Sequence, residues 1–416
     1  MTETTVGDGS LGGQSSSSAF TITLTRSGAI RIGIALLVVV GLFITAHLLY
    51  NTETPRQSMR DSFSLMLGIA LGITFQRGRF CFFCITRDFI EYRNSSGLFS
   101  VLIALAVGGI GYAIVFGQIL PNPARGALPS YAHIGPVSWV LGMAGIAFGM
   151  GMSLSGACIS GHLYRLGEGY TRAPIALFGS LVGFGLGFFT WQSLYLGSIF
   201  YAPVAWMPAS LGYGGALAFH LAVLAIIASA LFRFLPTLNA QPERKVTLST
   251  LYNTLFVGRW NPLVTGGLVG IIGTVAYLRV EPLGVTSQLG SISRTVLDNA
   301  GLLADRLNGL DGFSGCATAV VNAITENGWL VIGLVFGSFA MALLGNKFQL
   351  STLTIRNSIT ALLGGVLMGW GSMLALGCTV GTLLSGISAF AVSGWVFAVA
   401  TFIGVWLGIK LRLHTL

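Results

Sequence analysis

Of the 416 residues only 8% are charged and 53% are hydrophobic, against about a quarter charged in soluble domains, and mean hydropathy is +0.80. That composition excludes a soluble globular protein and points to a polytopic membrane protein. The net charge of +9 does not indicate nucleic-acid binding, because Lys and Arg stand singly between apolar runs and form no basic stripe.

In chain order, residues 1–28 are rich in Ser, Gly and Thr and read as a flexible polar tail. The first apolar run, Ile30 to Tyr50, has the length of a span and reads as one, not as a cleavable leader. Apolar runs follow at about 62–76, 97–120, 137–157, 173–197, 213–235, 262–282, 328–346, 357–377 and 391–410. The run at 62–76 is short and ends in Gln76-Arg77-Gly78-Arg79, which suggests a half-helix. The segment 283–327 is less apolar, carries Asp298, Asp305, Arg306 and Asp311, and ends in GFSGCATAV, as a re-entrant element would.

Placing the N-terminus in the cytoplasm puts sixteen of the 22 Lys and Arg residues on that side. The positive-inside bias therefore favours ten spans with both termini cytoplasmic in an inner, or plasma, membrane. A Pro- and charge-rich linker at 236–261 divides a first half, 29–235, from a second, 262–416.

The halves repeat. An offset of 220 residues aligns Gly145, Gly149, Gly151, Leu154, Cys158, Gly161 and Leu163 with Gly365, Gly369, Gly371, Leu374, Cys378, Gly381 and Leu383. An odd number of spans separates the copies, so they cross in opposite senses, as in transporters that bind substrate between broken helices near the midplane. The expected fold is an all-α polytopic bundle with inverted repeats and broken or re-entrant helices carrying cysteines. Cys158 and Cys378 should then lie near each other at the centre, reached from opposite faces.

Four of the five cysteines head or end Gly-rich breaks: Cys81, Cys158 beside Gly156 and Gly161, Cys316 after Gly315, and Cys378 between Gly377 and Gly381. A buried cysteine is commonly just a small hydrophobe, and Cys84 reads as packing. Random core cysteines would fall mostly within spans, however, not at breaks. Thiols are weak donors and soft partners, suited to a sulfur- or selenium-containing anion, and the helix after each break offers free N–H groups and a positive dipole end. Near a dianion a thiolate would be repelled, so the thiols are expected to act as neutral donors. Arg87 with Asp88, and Arg165 with Glu168, read either as an anion filter or as snorkelling topology anchors. The five histidines are scattered without a metal-like pair, and no cofactor or metal is expected.

These residues resemble the YeeE/YedE sulphur-transport family of inner-membrane proteins. The resemblance rests on CFxxxxRD (Cys81, Phe82, Arg87, Asp88), GxCxxGxxYRxxEG (Gly156, Cys158, Gly161, Tyr164, Arg165, Glu168, Gly169), and GC with SGISAFxxSGW (Gly377 and Cys378, then Gly386 to Trp395). GFSGC at Gly312–Cys316 is similar to the thiosulfate-importing branch. The resemblance implies a compact bundle narrowed by loops whose cysteines, Cys81, Cys158 and Cys316 or Cys378, hydrogen-bond thiosulfate and relay it inward. The chain departs from the family pattern at Cys84, where a small or hydroxyl residue is usual.

The implied function is import of thiosulfate or a related sulfur or selenium anion, without enzymatic chemistry. Two other readings are a membrane thiol-disulfide oxidoreductase using Cys81 and Cys84, and an anchor for a cytoplasmic sulfur-transfer protein, TusA-like or rhodanese-like. Besides such a protein, the partners expected are the anion and the lipid bilayer. Moving a dianion into a cell at about −100 mV costs roughly 4.6 kcal/mol, twice the cost per charge, and the chain has no Gly-x4-Gly-Lys-Ser/Thr motif for ATP.

Overall fold

A computed structural model describes residues 26–51, 55–235, 248–304, 306–310, 320–321 and 323–415. The first half contains α1 (Arg26–Tyr50), α2 (Pro55–Gly78), α3 (Phe82–Tyr92), α4 (Ser96–Ile119), α5 (Trp139–Ser155), α6 (Ile159–Gly167), α7 (Arg172–Gly197) and α8 (Met207–Phe232). The second contains α9 (Leu248–Tyr252), α10 (Pro262–Arg279), α11 (Ser287–Asn299), α12 (Glu326–Leu344), α13 (Ile355–Leu374), α14 (Gly386–Ser388) and α15 (Val392–Lys410). Among the described residues eight helices are long and apolar enough to cross a membrane, counting α5 and α6 as one; α13 with the segment after it, bent by 43°, makes a ninth. The protein is a multi-pass helical bundle, and each of the ten apolar runs falls on a helix.

The run at 62–76 is not a half-helix. It belongs to α2, continuous over 24 residues, because the polar residues that made the run look short have partners. Arg60 pairs with Glu326 at 3.4 Å. Ser62 donates to Ala46 O at 2.7 Å and Ser64 to Glu326 O at 2.6 Å. Polar side chains satisfied by neighbouring helices let a helix continue where a hydropathy reading would stop it.

The main contacts are α2 with α12, α4 with α10, α5 with α13 and α15, and α7 with α13. Small residues set these distances, since lipid gives helices no hydrophobic drive to associate and close packing must substitute. A Cβ on Gly365 would lie 2.1 Å from Ala176 O, and one on Gly183 2.1 Å from Val366 O, so glycine alone permits the α7–α13 approach. α1 and α8 are peripheral, and the outward Leu37, Ile44, Phe219 and Ile226 leave an apolar surface suited to lipid.

One continuous buried core runs through the bundle and includes Cys81, Cys158 and Cys378 beside Phe148, Phe397 and Trp191. These three cysteines therefore sit inside the protein, not on its lipid-facing surface. Gly315 and Cys316 lie outside the described residues, as do the tail up to residue 25 and linker residues 236–247.

Candidate functional site

Three breaks converge on the core, and each places a cysteine at the head of the helix that follows. α5 ends at Gly156, whose φ of 82° is left-handed and whose N–H closes on Met152 O. Glycine adopts that conformation without the penalty a Cβ brings. After Ala157 the chain restarts as α6 with Cys158 as N-cap. Cys158 Sγ accepts from Gly161 N at 3.3 Å and lies 3.2 Å from Ser160 Oγ.

Cys81 holds the same position before α3, in extended backbone. α13 ends at Ala375 and Leu376, the latter at φ 56°. Cys378 then caps a π-helical segment, Thr379–Ser385, with its Sγ accepting from Val380 N at 3.4 Å. All three cysteines are fully buried.

Cys81 and Cys158 meet with their sulfurs 3.7 Å apart. A Cβ on Gly161 would stand 2.7 Å from Cys81 Sγ and 3.3 Å from Cys158 Sγ, so this glycine keeps the space around the pair. Cys378 shares the buried core, but the thiol beside Cys158 is Cys81, from the same half of the chain. Gly377 and Gly381 flank Cys378 within the second break.

Arg165 connects the thiols to a polar cavity. Its Nη1 donates to Gly156 O at 3.1 Å and its Nη2 to Cys84 Sγ at 2.9 Å, while its guanidinium lies 5.5 Å from the Tyr170 ring centre. Cys84 therefore does more than fill space: it accepts a hydrogen bond from a cation. A cavity of about 420 Å³ opens beside α6, with Arg77, Arg79, Arg165, Arg259 and Lys347 in its wall and Glu168 as the carboxylate among them. Gln76 Nε2 donates to Glu168 Oε1 at 3.1 Å. Burial raises the Glu168 carboxyl above its ordinary range, opposed by the Gln76 hydrogen bond and by Arg165, Arg79 and Arg77.

On the other side of the core, a space of only about 20 Å³ lies against His133, Leu376, Thr382 and Ser393. That is room for about one water. Arg87 stands apart from the cavity: it pairs with Asp88 at 2.9 Å and Glu91 at 3.8 Å on α3.

Sequence reasoning singled out Arg165 and Glu168 but treated Arg77, Arg79, Arg259 and Lys347 as topology markers. The polar cluster Gln76 to Arg79 was the available signal. Arg259 and Lys347 carry none, since only packing brings their segments to the same cavity.

Comparison with known proteins identifies the family. The family described as sulphur transport matches residues 77–407. The thiosulfate transporter TsuA of Escherichia coli (strain K12) is 29% identical over 358 residues, covering 82% of this chain and 92% of that protein. TsuA of Spirochaeta thermophila is 27% identical over 357 residues, covering 82% and 96% respectively. The probable transporter YedE of Escherichia coli is 38% identical, but over 88 residues, about a fifth of each chain. A match spanning most of the membrane part, with three cysteines heading broken helices inside it, places the chain in the sulphur transport family.

Proposed function

We propose that the chain imports thiosulfate, or a closely related sulfur-containing anion, across the inner membrane along a path marked by Cys81, Cys158 and Cys378. The observation that carries this reading is the Cys81–Cys158 pair, 3.7 Å apart at the heads of α3 and α6. Each helix start turns N–H groups and a positive dipole end toward the sulfurs. A soft dianion there exchanges its hydration for weak S–H donors and backbone N–H groups, and Arg165 supplies a positive charge one residue layer away. No bond to the anion need form or break, so the chain acts as a carrier path and not as an enzyme.

Two further features support the reading. Pairing α5 with α13, α7 with α15, α4 with α12 and α2 with α10 maps the α5–α15 contact onto α13–α7 and the α4–α10 contact onto α12–α2. Exchange of contacts in this way is what an inverted repeat produces. All six charged residues of the cavity wall also fall in segments that the charge bias assigns to the cytoplasm. The cavity is then the inner mouth, both termini are cytoplasmic, and a soluble TusA-like or rhodanese-like acceptor would dock there.

Purified protein in liposomes with an inward-positive potential tests the function. Radiolabelled thiosulfate should accumulate, excess unlabelled thiosulfate should compete, and chloride should not. Protein that reconstitutes intact but admits no label would refute the reading.

A further inference from the structure

The cation-lined cavity already holds an anion of its own. Glu168 is fixed there from both sides: its N–H donates to Arg165 O at 3.0 Å, its carbonyl accepts from Gln349 N at 3.0 Å, and its carboxylate accepts from Gln76. The backbone cannot swing the side chain away, so the carboxylate stays among Arg77, Arg79, Arg165, Arg259 and Lys347.

The five cations exceed what one carboxylate can neutralise, and one of them has unspent capacity. Arg77 is 3% exposed; its Nη1 donates to Gln76 Oε1 at 3.3 Å and its Nη2 to Gly258 O, while its buried Nε has no partner among the described residues. Gly345 makes room for this guanidinium, since a Cβ there would stand 2.9 Å from Arg77 Nη1. A buried guanidinium N–H without an acceptor is costly unless a ligand supplies one.

We propose that this cavity is a binding site for a divalent tetrahedral oxyanion, and that Glu168 is a tethered competitor that keeps the bound dianion from being held too tightly to leave. The arrangement suits a small compact dianion. Five donors converge from four chain segments, a volume of about 420 Å³ has room for the anion with water, and the Tyr170 face is already covered by Arg165. Thiosulfate and sulfate share this chemistry. Without Glu168 the site would be a trap; with it, the carboxylate repels the dianion and takes over the cations as the dianion departs.

That the bound anion is the transported one rests on the transport reading above; the binding itself does not. The test is calorimetric titration of the full chain in lipid nanodiscs with sodium sulfate, and separately sodium thiosulfate, at fixed ionic strength. Three proteins are compared: the parent, Glu168→Gln, and the double variant Arg259→Gln/Lys347→Gln, each checked by its thermal melt. Glu168→Gln should bind either anion about tenfold more tightly and the double variant about tenfold more weakly, one unit charge having been removed or two cations lost.

In liposomes, Glu168→Gln should lower both the maximal uptake rate and the half-saturating concentration, a pairing that mere structural damage does not give. If folded Glu168→Gln binds both anions no more tightly than the parent, the proposal is wrong. If it binds more tightly while the parent moves no thiosulfate, the transport reading fails and the binding site stands.

Discussion

On the proposed path a single thiol pair, Cys81 with Cys158, meets the anion, and its chemical weakness is what would make it useful. Cys81 and Cys158 are fully buried, and Cys158 Sγ already accepts from Gly161 N, so an arriving anion competes for donors that are individually modest. Neutral hydrogen bonds contribute about 0.5–1.5 kcal/mol net, enough to lower a barrier without creating a trap. Cys158→Ala should therefore cut uptake at least tenfold while leaving the melting temperature within a few degrees, whereas Cys84→Ser, which keeps an acceptor for Arg165, should cost less than threefold; uptake assays and thermal melts on both variants check this. A different residue reports on pH. Glu281, in the turn beyond α10, accepts from Asn327 Nδ2 at 2.5 Å, and burial, helped by Glu326 and opposed by Arg60, pushes its carboxyl up to about 7. The folded protein thus holds more protons than the unfolded chain between the ordinary carboxyl value of 4.5 and about 7. The associated stability is full below that window, is lost as pH rises through it, and amounts to roughly 3 kcal/mol. Glu281→Gln should flatten the dependence of melting temperature on pH across the window and raise the melting temperature above it.

At the scale of elements, the breaks matter more than the spans. Gly156 ends α5, and Arg165 from α6 reaches back to Gly156 O, so one side chain fixes the angle between the two pieces and presents the other end of its fork to Cys84. A lysine has no planar fork and cannot make both contacts. Arg165→Lys should fold, yet lose at least tenfold in uptake; uptake at the parent rate would show that the fork is dispensable. Packing between elements sets a second limit. Gly365 approaches Ala176 O so closely that Gly365→Val must separate α13 from α7, at a cost of about 1–3 kcal/mol or more, visible as a lower melting temperature. The positions of these breaks were legible in the sequence, because Gly, Ser and Cys interrupt apolar runs at Cys158 and at Cys378. The continuity of α2 was not, since its polar residues find partners on α12 and α1 that no local pattern announces. The Arg165–Cys84 contact was hidden for the same reason: it spans 81 residues of sequence and exists only because α3 and α6 dock.

Across the whole molecule, two features combine: a bundle held by small-residue contacts, and a cluster of cations that lines a polar cavity beside α6. The fold class followed from composition, and the family from motifs at Cys81, Cys158 and Cys378, because cysteines set in Gly-rich breaks form a pattern that apolar packing alone does not require. The cation cavity was only half legible. Arg165 and Glu168 stood in a motif, but Arg259 and Lys347 look like any positive-inside residue until α10 and α12 bring them to the same wall. The contact of Cys158 with Cys81 was not legible either, since the 220-residue offset relates the breaks at Cys158 and Cys378 without saying which other break each one faces. The most direct test of the account is radiolabelled thiosulfate uptake by liposomes holding the parent or Cys158→Ala at matched protein density. The account predicts uptake by the parent and less than a tenth of it by the variant; equal uptake by both would contradict a path that runs through the thiols.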